Sequence, residues 1–212
     1  MRQSVKIAGD LTVSDWKTLS AKLRKDMDNP DLWEEAFGYL ETRLETRYLK
    51  PIEHIKENGS NEGEGFAIVA IICSIIEAME SFYQGKSYRK GTKSTPIDTN
   101  TEYYRSQPIF ESFLQSREPF KSHFAVAGLA TSFYEDVRCA ILHEAATRGG
   151  WKIRTDTSEL LEQQGSNLVL NRNLFVDAIK DYLVRYKTEL FSDSTLKEAF
   201  IRKFDSICAS AK

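Results

Sequence analysis

Cysteine is scarce in this chain, as are histidine, methionine and tryptophan, each present three times in 212 residues. Cys73, Cys139 and Cys208 are odd in number, widely separated and without a C-x-x-C, which leaves no basis for a disulfide framework or a cysteine zinc site. A reducing cytoplasm is the expected compartment. An excess of one charge is also missing: 29 Lys and Arg stand against 31 Asp and Glu, with net charge -2 and a pI near 6.0. No global field draws the chain onto nucleic acid, so any RNA or DNA contact has to come from a local basic patch. The longest apolar run, residues 66–76, ends at Glu77 and is well short of the roughly 20 residues that cross a bilayer. It reads as a buried helix. No apolar stretch follows the basic start before Asp10, so no secretory signal is expected. There is no internal repeat and no recognisable helix-turn-helix, which speaks against a DNA-directed regulator.

What is present suffices for one good core. At 41% hydrophobic and 28% charged residues, the chain is expected to form a single domain or a domain with an appendage. Ser14 reads as the N-cap of a first helix carrying Trp16, Leu19, Leu23 and Met27 at helical spacing. A second runs from Asp31 through Trp33, Phe37, Leu40, Leu44 and Tyr48 until Pro51 kinks or ends it, leaving a short continuation over 52–55. The Gly-rich stretch 58–65 breaks the pattern. Residues 66–83 form a helix apolar on nearly all sides, central to a bundle and stopped by Gly85. Residues 86–101 lack periodicity and read as a long basic loop, either a plain solvated one or a functional one in which Lys86, Arg89, Lys90 and Lys93 are candidate RNA contacts. Helical spacing returns near Ile109 to Leu114 and from Leu129 to Ala146, where Gly149 and Gly150 are expected to terminate it. Two short apolar runs, 151–155 and 167–171, suggest a small hairpin, and two helices near 173–186 and 194–206 close the chain. The expected organisation is N-terminal helices over 1–65 packing on a helical core over 66–212, with a hairpin near 151–171.

One segment pairs a proton-transfer group with a fixed cation. Arg138 and His143 lie five residues apart in the helical run that starts near Leu129. At about 100° per residue they fall roughly 140° apart on opposite flanks of the face made by Phe133, Val137, Ala140, Ile141 and Glu144, so they do not meet within one helix. Cys139 and Leu142 lie between them on the outer side, which predicts a covering surface. A two-fold partner helix is the economical candidate, since it brings two Arg and His pairs into one cleft. Histidine can take a proton from a hydroxyl or give one to a leaving oxygen, and an Arg fork can hold phosphate oxygens as negative charge develops. RNA supplies its own nucleophile in the ribose 2′-OH, so this chemistry calls for no metal and no cofactor; DNA lacks that hydroxyl. Spacing alone is not diagnostic in a chain with three His and 13 Arg. Glu77 and Glu80 follow the apolar run. They make either a plain polar end to that helix or, for Glu77, a partner that pairs with Arg138 or orients His143.

The run from Phe133 to Thr147, followed by Gly150, Trp151, Lys152 and Ile153, resembles the R-x-x-x-x-H helix of the HEPN superfamily, in particular small prokaryotic members with an apolar helix like residues 73–85 upstream. The layout covers roughly 66–190, with residue agreement concentrated in 132–153. The resemblance implies a mostly α helical bundle, with a small β-hairpin after the motif helix, that forms a homodimer with its motifs facing across the interface. It further implies metal-independent endoribonuclease activity in a toxin-antitoxin or antiphage setting. Arg138 would then bind phosphate and His143 transfer protons, with Glu77, Tyr134 and Cys139 as supporting residues. The partners implied are an RNA substrate, a second copy, and an antitoxin or defence protein, with no membrane. In two respects the chain departs from the pattern. Many active members carry Asn, Asp or His directly after the Arg, where this chain has Cys139. Some carry a Tyr two residues after the His, nucleotidylated by an antitoxin, where this chain has Ala145. Catalytically silent members serve as dimerisation or partner-binding modules, which is the alternative expectation.

Overall fold

The computed structural model describes residues 5–60, 62–91 and 95–211. A short antiparallel pair, β1 (Lys6–Ala8) and β2 (Leu11–Thr12), leads into α1 (Val13–Leu23). The cap of α1 is Thr12 rather than Ser14. The Thr12 hydroxyl accepts the Asp15 N–H while the Asp15 carboxylate accepts the Thr12 N–H, a reciprocal capping box. In α2 (Pro30–Leu44), the Asn29 side chain accepts two first-turn N–H groups and Pro30 occupies the first position. The helix does not end at Pro51. A π-helical turn (Glu45–Leu49) joins α2 to α3 (Lys50–Asn58), and its wider i→i+5 bonding sits where proline lacks the N–H for the Arg47 carbonyl.

Next come α4 (Glu64–Gln84), then β3 (Ser87–Tyr88) and β4 (Glu102–Tyr103), then α5 (Ser106–Ser116) and α6 (Phe120–His123). The expected free loop is therefore tied at its base, because β3 and β4 pair in parallel. A continuous helical stretch follows, made of α7 (Leu129–Ser132), a second π turn (Phe133–Cys139) and α8 (Ala140–Glu144). Strands β5 (Trp151–Arg154), β6 (Leu161–Gln164) and β7 (Asn167–Asn171) form a sheet in the order β5-β7-β6, and α9 (Arg172–Ser192) and α10 (Ser194–Ser210) complete the chain. The appendage holds a hairpin, but between β6 and β7; β5 joins β7 in parallel, with Trp151 opposite Leu168. Runs 151–155 and 167–171 are separated by the dozen or so residues a parallel crossover needs, and β6 lies in that crossover. The fold is mostly α with a small β appendage.

Two compact units are built from interleaved segments: one from Met1–Pro51, Ser81–Tyr104 and Tyr186–Lys212, the other from Ile52–Glu80 and Arg105–Arg185. In the first, the Trp16 ring lies 4.5 Å from Phe204, with Tyr39 edge-on at 5.6 Å, and the Trp16 indole N–H donates to Asp205 at 2.8 Å. Burying a ring of this size contributes on the order of 2–3 kcal/mol, and the indole N–H stays satisfied. Burial pushes the Tyr39 hydroxyl up to about 12, which keeps it neutral.

Phe133 is the hub of the second unit. Its buried ring meets Trp151 at 5.2 Å, Phe124 at 5.4 Å, Phe175 at 5.6 Å and Phe110 at 6.0 Å. Helix α4 supplies Ile68, Val69, Ile72, Cys73, Ile75, Ile76 and Met79, all buried. By length and composition α4 passes for a membrane span, yet 61% of its most apolar window is buried inside the fold, so it is a core helix of this structure. Fully buried Glu80 fits the core because it accepts from Arg117 Nε and Nη2 at 2.9 and 3.0 Å and from the Ser112 hydroxyl at 2.7 Å.

Candidate active site

The site grows from the π turn. Phe133, Val137 and Ala140 are fully buried and anchor one face, while Ala140 N–H turns back to the Val137 carbonyl. That leaves the Asp136 carbonyl for another donor, and Arg148 N–H takes the place at 2.8 Å. The return loop is bound to the turn a second time: Trp151 Nε1 donates to Ser132 Oγ at 2.9 Å, and Ser132 Oγ donates to Asp136 Oδ2 at 3.0 Å. Gly149 makes this close approach possible, since at φ +59° a Cβ would stand 2.5 Å from Asp136 Oδ2.

Arg138 is surrounded by side chains of α4 and of its own π turn. Its Nη2 lies 3.5 Å from Glu77 Oε2 on α4, its Nη1 is 3.9 Å from the Cys139 thiol, and its guanidinium carbon sits 5.3 Å from the centre of the Tyr134 ring. The Tyr134 hydroxyl in turn shares a 2.7 Å hydrogen bond with Ser106 at the start of α5. Burial alone would make Arg138 easier to deprotonate, but Tyr134, Cys139 and Glu77 outweigh it and hold the pKa above the usual arginine value. Burial, chiefly, raises the Tyr134 hydroxyl, so it remains a neutral group that can donate or accept. Cys73, buried nearby on α4, is pushed up by burial and stays a thiol. The π turn thus groups Glu77, Tyr134 and Cys139 around one cation whose side chain keeps 21% exposure. Cys139 is not on an outer apolar surface, as regular helix phasing predicts; it is half-buried against Arg138.

His143 is placed differently. It is exposed on α8, and among the described residues no hydrogen bond or ion pair reaches its side chain. Beside it Leu142 is 57% exposed. The helix ends at Glu144 rather than at Gly149 and Gly150, because Ala145 adopts a left-handed conformation with φ +53°. Left-handed alanine costs roughly 1–2 kcal/mol relative to a residue without a Cβ. Ala145→Gly is therefore expected to raise unfolding free energy by about 1 kcal/mol in urea titration, with His143 left in place. Arg138 and His143 are not brought together within one chain: the cation faces α4 and the imidazole faces solvent.

The basic loop lies in the other compact unit. Arg89 is committed within that loop, at 2.7 Å from Glu102 and donating to the Pro96 carbonyl at 2.7 Å. The Glu102 carboxyl is held below the usual range by the Asp98 N–H and by Arg89. Lys86 is half-buried, and its carbonyl accepts from Lys203 at 3.0 Å; Lys90 is exposed, and Lys93 lies outside the described residues. Sequence reasoning missed Ser106 as the Tyr134 partner, along with Arg117 and Ser112 as partners of Glu80. The only hint was a carboxylate in an apolar helix, which must be paired if buried. Among the described residues no group of three or more His, Cys, Asp or Glu is arranged to hold a metal ion. In comparisons with known proteins, the chain matches no family model, no curated protein and no solved structure.

Proposed function

We propose that this protein is a HEPN-type, metal-independent endoribonuclease that acts as a homodimer in the cytoplasm, as a toxin or in antiphage defence. The observation that carries the reading is the division of labour along residues 133–144. A π turn holds a permanently charged Arg138 whose side chain keeps 21% exposure, and five residues on an unencumbered His143 stands in solvent beside exposed Leu142. A second copy applied two-fold to this face covers Leu142 and brings the His143 of one chain toward the Arg138 of the other. His143 then removes the proton of a ribose 2′-OH. The O2′–P bond forms, the P–O5′ bond breaks and the leaving 5′-oxygen takes up a proton, while Arg138 neutralises the phosphorane-like charge. The products are a 2′,3′-cyclic phosphate and a 5′-hydroxyl.

The dimer requirement has its own test. Leu142→Asp places a charge in the covered face and is expected to give monomers by sedimentation together with loss of RNA cleavage. A dimer that persists with full activity contradicts the shared site.

One observation favours a second reading, a non-catalytic HEPN-like dimerisation or partner-binding module. Arg138 already has Glu77, Tyr134 and Cys139 as partners, and Cys139 occupies the position where many active family members carry a polar residue. This alternative predicts the same monomer on Leu142→Asp but no RNA cleavage by the unaltered protein.

A further inference from the structure

Helix α4 carries two glutamates three residues apart, and each pairs with an arginine from outside that helix, but the two pairs are built differently. Glu80 and Arg117 form a buried fork, two parallel contacts at 2.9 and 3.0 Å reinforced by Ser112 at 2.7 Å, with Glu80 fully buried. That is the geometry of a fixed structural pair. Glu77 and Arg138 instead meet through one oxygen and one nitrogen at 3.5 Å, beyond the 2.7–2.9 Å usual for a charge-assisted hydrogen bond, and both side chains retain 21% exposure. An ion pair this long, between side chains that water can reach, is exchangeable at the guanidinium. The stacked Tyr134 ring holds the guanidinium without competing for its N–H donors.

We infer that Glu77 is an intramolecular occupant of the Arg138 phosphate subsite, a carboxylate standing where a phosphate oxygen of RNA pairs when substrate binds. The inference rests on the reading of Arg138 as the phosphate ligand and adds a regulatory element to it. Binding exchanges one anion for another at the same cation, so the gain from the phosphate contact is reduced by the lost Glu77 pair. The displaced carboxylate also remains close to the incoming phosphate, and like charges repel. Both effects act in the same direction. Glu77 thereby sets a threshold: a phosphodiester is retained only where other contacts along the RNA supply the difference. Glu77 is a positioning residue acting through Arg138, since it touches no reacting atom.

The test uses the full-length protein, EDTA, and a fluorescent single-stranded RNA whose riboses are 2′-O-methylated, so that binding is read without cleavage. Glu77→Gln is expected to tighten binding by about three- to ten-fold, and Arg138→Ala to weaken it. In the Arg138→Ala background, Glu77→Gln is expected to give no gain, because the effect passes through that guanidinium. With cleavable RNA, KM falls in Glu77→Gln while kcat changes by less than about two-fold. Glu77→Met serves as a second variant should the glutamine protein fold poorly. Unchanged or weaker binding in both folded variants overturns the inference and makes Glu77 a simple anchor for the Arg138 side chain. An equal gain with and without Arg138 overturns it as well, since that is a general charge effect. If Arg138→Ala itself binds and cleaves normally, the ribonuclease reading fails, and this inference with it.

Discussion

His143→Ala and Arg138→Ala are each expected to reduce RNA cleavage in the presence of EDTA by at least about 10²-fold, the range typical of losing a general acid-base group or a principal charge stabiliser. The two effects are not additive. Once the proton-transfer group is gone, holding the phosphate accelerates little, so the double variant is expected to be scarcely worse than either single one. Neither substitution should unfold the protein. His143 is exposed, and Arg138 keeps part of its side chain in solvent, so circular dichroism is expected to be unchanged. Mixing the two inactive proteins gives a sharper result. If a working site joins Arg138 of one chain to His143 of the other, half the dimers hold one intact site of two, and roughly a quarter of the activity returns by statistical assortment. A site completed within one chain returns none.

The largest stability effect is expected at Arg117. Glu80 is fully buried on α4, and removing Arg117 takes away both guanidinium contacts to its carboxylate. Breaking a buried pair from one side costs about 3–5 kcal/mol, because the remaining charge is left uncompensated. Arg117→Ala should therefore lose that much unfolding free energy in a urea titration. Ser112→Ala, which removes one acceptor contact of the same carboxylate, should lose about 1 kcal/mol. Replacing both charges, as in Glu80→Leu with Arg117→Met, is expected to recover most of the loss, since a well-packed apolar substitute removes the desolvation problem. A double replacement as damaging as Arg117→Ala alone would mean that the pair contributes through shape and not through charge compensation.

The elements most legible in the sequence are those whose stabilising contacts repeat locally. The run from Phe66 to Tyr83 lies inside α4 because its residues are apolar on nearly all sides, and Ile109, Phe110, Phe113 and Leu114 mark α5 by spacing alone. The π turns were not legible. Pro51 marks a disturbance for the first without giving its form, and the second involves a backbone carbonyl claimed by Arg148 from the return loop. The second turn matters most, because it moves Cys139 off the outer face where a regular helix would place it and sets it against Arg138. Gly149 and Gly150 mark the expected end of the motif helix, although a left-handed alanine, a conformation sequence gives little reason to expect, already stops it at Glu144. Both glutamates of α4 drew notice as charges after an apolar run. Which of them is structural depended on Arg117 and Ser112, partners distant in sequence and unmarked by any local spacing.

The most direct test of the central claim is the chemistry of the ends left on RNA. Purified protein is incubated with a defined single-stranded RNA in EDTA, and the fragments are resolved by mass spectrometry, with a fully 2′-O-methylated copy alongside. A 2′,3′-cyclic phosphate on the upstream fragment, a 5′-hydroxyl on the downstream one and an untouched methylated copy, all lost in His143→Ala, is the predicted result. Intact RNA, 3′-hydroxyl and 5′-phosphate ends, or cutting that persists without His143 would contradict it.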